Sequence, residues 1–268
     1  MNGFPQAMQT RTRNSTLALL IGILALLPSA ALAQSGSFIV SQHGKQVGTA
    51  SFKISAFPSG YESTALVRIN MQGLNYTISK TEHLSSAKHL GHTQLSATVN
   101  GSAVTVTAAP DASQILLKTS ANGHTTTTPL PAHAFAVFLP DFDPGALDTL
   151  LTLAAAHNNR NLWAIIPKKA GSIQPIQLAT YADEHGTLDS KSIVAHHLIA
   201  TIAGSPIELF SGPDNQLLQA EFSKQGFALV RNGFVLTPPA KAGAPPAQSA
   251  PPAQSAPPAQ SAPPAQSH

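Results

Sequence analysis

Residues 47–69 read VGTASFKISAFPSGYESTALVRI, and this stretch decides the fold. Ala50, Phe52 and Ile54 are separated by single residues of mostly polar type, and so are Ala65, Val67 and Ile69. A period of two places each trio on one face of a half-buried strand, because successive side chains of a pleated ribbon point to opposite sides. Between the runs, Pro58-Ser59-Gly60 supplies a turn. Two alternating runs about such a turn make an antiparallel hairpin.

The same grammar extends both ways. Upstream, Phe38 and Val40 alternate before a turn at His43-Gly44-Lys45. Downstream, Gln72-Gly73, Asn100-Gly101, Asp111-Ala112-Ser113 and Asn122-Gly123 mark further reversals, with Val99 and Val104 flanking the second. Asn-Gly between apolar runs is a strong hairpin signal, since both residues tolerate positive φ. Residues 34–128 therefore read as an antiparallel meander.

The pattern changes at 132–159. Ala132 to Leu139 is apolar apart from His133, and Asp143-Pro144 then opens a helix. Asp accepts free amide hydrogens at the cap, and Pro has none to leave unpaired at the first helical position. Leu147, Leu150, Leu151 and Ala154 form one apolar face, and the helix should stop near Asn158-Asn159. Strands resume over 160–237, at Leu162–Ile166, Ile173–Tyr181, Ser192–Ile202, Ile207–Phe210, Leu217–Phe222 and Phe227–Phe234. The predicted fold is mainly β: a curved antiparallel sheet (β-roll, half-barrel or barrel), with one helix inserted mid-chain and packed on the sheet or plugging it.

Segments of other character flank this single β-rich domain, residues 34–237. Arg11 and Arg13 precede the apolar run Leu17–Leu27, and Ala31-Leu32-Ala33 follows it. A basic lead, a short apolar run and an A-x-A exit predict a secretory signal peptide over residues 1–33. Spanning a bilayer takes about 20 apolar residues, more than this run offers. Cleavage before Gln34 is expected, with Leu32 as the second choice for the new terminus. After cleavage no membrane-spanning stretch is expected, and the protein should work in the periplasm or, alternatively, outside the cell. Residues 238–268 carry Ala244-Pro245-Pro246-Ala247-Gln248-Ser249 and three further copies of it. Without large apolar residues the repeats cannot bury a core, so a disordered, solvated polyproline-like tail is expected. It would reach roughly 90 Å at about 3.1 Å per residue.

Composition excludes several chemistries. The chain has no cysteine, hence no disulfide, no thiol nucleophile and no thiolate ligand for zinc. Charged residues make up only 10%, and Arg11 and Arg13 supply two units of the formal +3. Lys168-Lys169 is the only basic pair after the leader, so no nucleic-acid footprint is present. No G-x-S-x-G elbow and no H-E-x-x-H occurs. Ser85-Ser86-Ala87-Lys88 matches S-x-x-K, but in a predicted hairpin loop and without companion motifs.

Candidate site residues fall into four groups. His83, His89 and His92 are metal-ligand candidates from the eleven histidines; His83 and His89 could face each other across a turn, while His89 and His92 point to opposite faces of a regular strand. His196-His197 has the same difficulty. Asp141, Asp143 and Asp148 form an acidic cluster that is expected to serve the helix N-terminus, and it lacks the spacing of a calcium loop. Phe52, Ile54, Val67, Trp163, Leu209 and Phe222 are expected to line the core or a groove for an apolar ligand.

Gly44-Lys45-Gln46-Val47-Gly48 and the run Ile207 to Leu218, ending in D-x-x-L-L, carry a resemblance. The layout from Gly36 to Phe234 resembles uncharacterised exported bacterial proteins built as a spiral β-roll or a curved antiparallel half-barrel. The resemblance implies fold type and brings no catalytic residues. Some half-barrels of that kind carry lipoproteins or lipids across the periplasm. The expectation is thus a non-catalytic exported protein without cofactor that holds a lipid, another apolar ligand or an envelope partner. One alternative is a structural or interaction module using a sheet edge as docking strand and the tail as spacer. A metal- or carboxylate-dependent hydrolase using His83, His89 or the 141–148 acids is another.

Overall fold

The computed structural model describes residues 34–168 and 171–237; the expected leader and repeat tail lie outside them. Eight strands come first: β1 Gln34–Gln42, β2 Lys45–Phe57, β3 Gly60–Met71, β4 Leu74–Ser85, β5 Leu90–Val99, β6 Ser102–Asp111, β7 Gln114–Ala121 and β8 His124–Pro131. They form the meander that the alternation predicts. Each pairs antiparallel with the next, with Phe52 opposite Ala65 and Val67 opposite Ile78. Asn100-Gly101 and Asn122-Gly123 both sit at positive φ, the geometry whose twist matches two right-twisted strands.

Gly60 opens β3 at φ +147°, and any Cβ there would run into the Leu84 carbonyl of β4. Gly60→Ala should cost about 2–3 kcal/mol through clash and backbone strain together. Gly101→Ala has positive φ but open space around it, and isolates the backbone part. Urea denaturation giving equal losses for the two variants would remove the clash from this account.

The short strand β9, Ala136–Phe138, leads through residues 139–143 to the helix α1, Pro144–Ala156. Then follow β10 Trp163–Ile166, β11 Ser172–Thr180, β12 Glu184–Leu188, β13 Lys191–Ile202, β14 Ser205–Ser211, β15 Leu217–Phe222, β16 Phe227–Arg231 and β17 Phe234–Leu236. Among the described residues the sheet runs β9-β10-β11-β13-β14-β15-β16-β1 and on through the meander to β8, with only β9–β10 parallel. Among the described residues no ladder joins β8 to β9, so the curved sheet is not closed into a barrel.

One expectation is corrected. Phe227–Phe234 is not one strand: Asn232-Gly233 breaks it into β16 and β17, and the chain turns outward to pair with β12. The apolar face Leu147, Leu150, Leu151 and Ala154 of the helix is buried, and burial extends beyond it to Asp148 and Thr149. A helix buried nearly all round is a core element, and α1 packs inside the curve against β2, β3, β9 and β15. Around it lie Phe38, Val67, Phe138, Leu209 and Leu217, all fully buried. On the opposite face, β12 and β17 cover a small second cluster of Ala195, Phe210, Leu218 and Phe234. Coverage on both sides explains why Leu217 to Ala220 is buried without alternation.

Among the described residues β8 has a ladder to β7 only, which bears on docking. Ala121 and His124 flank a two-residue turn, which makes them the first hydrogen-bonded pair. Counting by twos, the backbone groups of Thr125, Thr127, Pro129 and Pro131 point away from β7. Two of those four outward positions have no N–H to offer, the usual protection of an edge against strand addition.

Candidate functional site

Inner-face residues of β4–β7 extend beyond the cover of α1. Leu74, Tyr76 and Ile78 on β4, Leu95, Ala97 and Val99 on β5, and Val104 and Val106 on β6 line a chamber of about 400 Å³. Thr119 of β7 and the residues Pro140, Asp141, Phe142, Pro167 and Lys168 complete it. The chamber exists because the strands keep alternating apolar residues inward after the helix has ended its coverage. A second chamber of about 180 Å³ lies on the other side of Phe142, with Leu147, Ile166, Ile202, Ile207 and Phe222 in its wall. Pro140, Asp141, Phe142 and Lys168 border both chambers.

Phe142 is held in an unusual state. Its φ is +56°, a region that a bulky L-residue enters at a cost on the order of 1–3 kcal/mol. Its ring packs on Phe227 at 4.7 Å and Phe222 at 5.3 Å, and meets Tyr76 edge-on at 6.5 Å between centroids. Ion pairs flank it on both sides. Asp141 Oδ2 lies 2.6 Å from Lys168 Nζ at the partly exposed lip. Asp143 Oδ2 lies 2.7 Å from Lys80 Nζ, both fully buried.

Lys80 also reaches Glu82 Oε2 at 2.9 Å, and Thr93 donates to Glu82 Oε1 at 3.3 Å. Burial alone would lower the pKa of the Lys80 ammonium, but the charges of Asp143 and then Glu82 outweigh it and hold it above its ordinary value. Asp143 meanwhile caps α1 as predicted, its Oδ1 accepting from the Gly145 and Ala146 amides at 2.8 and 3.2 Å. One carboxylate thus fixes both the helix start and the preceding segment to β4. Burial, and then Asp141 and Asp143, push the Tyr76 hydroxyl far above its ordinary pKa, so it remains a neutral hydrogen-bonding group in the chamber wall.

The acidic cluster read from sequence is dispersed. Asp141 faces Lys168, Asp143 caps the helix, and Asp148 lies inside, accepting from the Leu217 amide at 3.0 Å. The histidines are dispersed too. A register shift after His83 pairs it with His92 on the outer face, while His89 turns to Phe135, 5.4 Å away. His83 therefore faces His92 and not His89. His196 meets Asp183 at 2.9 Å and His197 meets Glu208 at 2.8 Å. Among the described residues no three His, Asp or Glu side chains are grouped to hold a metal ion. In the S-x-x-K stretch, Ser85 Oγ accepts from the His89 amide and Lys88 Nζ donates to Thr152.

Of the residues expected to line the core or a groove, Phe222 borders the smaller chamber. Phe52, Ile54, Val67 and Leu209 are buried in the core, and Trp163 stacks on His133 at 3.6 Å. None of those five lines either chamber. Sequence reading missed Tyr76, Phe142 and Lys168 as site residues. Lys168 was visible only within a basic pair. No helix among the described residues is long and apolar enough to cross a membrane. No family model, no curated protein and no solved structure matches this chain.

Proposed function

We propose that this chain is an exported, non-catalytic binding protein whose concave face holds a single-chain amphiphile such as a fatty acid. The observation that carries this reading is the distribution of chemistry in the larger chamber. Its volume of about 400 Å³ falls within the range of small-molecule sites. Its depth is built from Leu, Ile, Val and Ala, while the charged atoms of Asp141 and Lys168 stand together at one lip. An apolar chain would remove those walls from water, and a single polar end would remain at the ion pair. The prolines of β8 weigh against the alternative of a docking strand.

The test uses the purified mature protein and anilinonaphthalene sulfonate as probe. Probe fluorescence should rise on binding, and octanoate or palmitate should displace it. Ala97→Phe, which fills the chamber from β5, should abolish the rise while unfolding stays cooperative. Deleting residues 238–268 should leave binding unchanged. Absence of probe binding by the parent protein would overturn the reading, and a rise on tail deletion would make the tail the occupant.

A further inference from the structure

The two chambers share four lining residues, and Phe142 is one of them. We propose that Phe142 is a gate that sets ligand chain length: with its ring in place a short chain fills the larger chamber, and a long chain enters the smaller one only when the ring swings aside. This rests on the binding reading above and deepens it.

Three observations carry the inference. Four residues border both chambers, and among them Phe142 has the ring that packs between their aromatic walls. Tyr76 touches that ring from the larger chamber and Phe222 from the smaller. The backbone at Phe142 is pinned by the Asp141–Lys168 pair before it and the Asp143–Lys80 pair after it. Pinning on both sides confines movement to side-chain torsions, so the ring can turn without unseating the segment. Beyond it, Leu147, Ile166, Ile202, Ile207 and Phe222 offer a mainly apolar wall to the distal part of a chain.

The experiment compares octanoate and palmitate affinities by displacement of anilinonaphthalene sulfonate, in the parent and in Phe142→Ala. Removing the ring joins the chambers, so the preference for palmitate over octanoate should grow about tenfold, as pocket extension by a few methylenes allows. Should Phe142→Ala lose cooperative unfolding, Phe142→Leu retains apolar packing with a shorter barrier, and its preference should shift in the same direction. An unchanged palmitate-to-octanoate ratio in a folded variant, with the parent binding both, overturns the gate and leaves the binding reading standing. No binding of probe or fatty acid by the parent overturns both.

Discussion

Lys80→Met should cost about 3–5 kcal/mol of unfolding free energy, the loss typical when one partner of a buried ion pair is removed. The reason lies in what remains. Glu82 and Asp143 are almost wholly buried, and without the ammonium each keeps a charge that has left water. Glu82 would retain only the Thr93 hydroxyl, and Asp143 only the two amides of α1. Removing all three charges is a different matter, since apolar or neutral replacements of buried ion clusters are often nearly neutral. The triple variant Lys80→Met, Glu82→Gln, Asp143→Asn should therefore recover much of the loss. Urea denaturation followed by Trp163, the sole tryptophan, reads both. A loss below about 1 kcal/mol for Lys80→Met, the range of an exposed pair, would show that solvent reaches the cluster. Because the same contact seats residues 139–143, the single variant should also weaken probe binding.

The fold was legible because the β signal here is local. Alternation in residues 47–69 and the Asn-Gly turns state strand, face and reversal within a few residues of one another, and these are the strands that formed. Asp143-Pro144 likewise announced the helix through chemistry confined to its first turn. What stayed hidden is long-range. Lys80 shares the inner face of Ile78 and Leu84 by its position in β4, but the partner that neutralises it there, a carboxylate from a helix cap about sixty residues later, is invisible locally. Phe142 carries no sequence mark of positive φ; Asn or Gly would have advertised it. The Phe227–Phe234 reading ignored Asn232-Gly233, a turn signal of the kind trusted elsewhere in the chain. Of the residues read as core or groove lining, Phe52, Ile54 and Val67 lie on β2 and β3, which α1 covers, while the alternating residues of β4–β6 line the chamber. Sites lie where the cover ends, and that boundary is a property of the assembled sheet.

Asp148→Asn should stabilise the protein at pH 7.5 and do nothing at pH 4. Asp148 is buried on α1, with Oδ1 bound to the Leu217 backbone amide of β15 and touching the Gln34 side-chain amide of β1, and Oδ2 without a hydrogen-bond partner among the described residues. Burial raises its pKa from 3.8 to about 6, although the Leu217 amide, Lys88 before β5 and Arg231 of β16 all favour the ionised form. Those cations are themselves partly desolvated, which lowers their own pKa values and limits what they can offset. The sign follows from proton counting. Between pH 4 and 6 the folded state keeps a proton that the unfolded state has released, so stability is complete below pH 4 and is lost as pH rises through 6. Moving the carboxyl from 3.8 in the unfolded chain to about 6 in the fold puts the loss on the order of 2–3 kcal/mol. Asparagine keeps the acceptor for Leu217 and has no charge to bury, so its stability should be flat over that window. The two denaturation profiles should meet near pH 4 and diverge above it, with the variant higher. Parallel profiles, or a variant weaker at pH 7.5, would mean that Lys88 and Arg231 hold Asp148 as a stabilising carboxylate in place of a strained one.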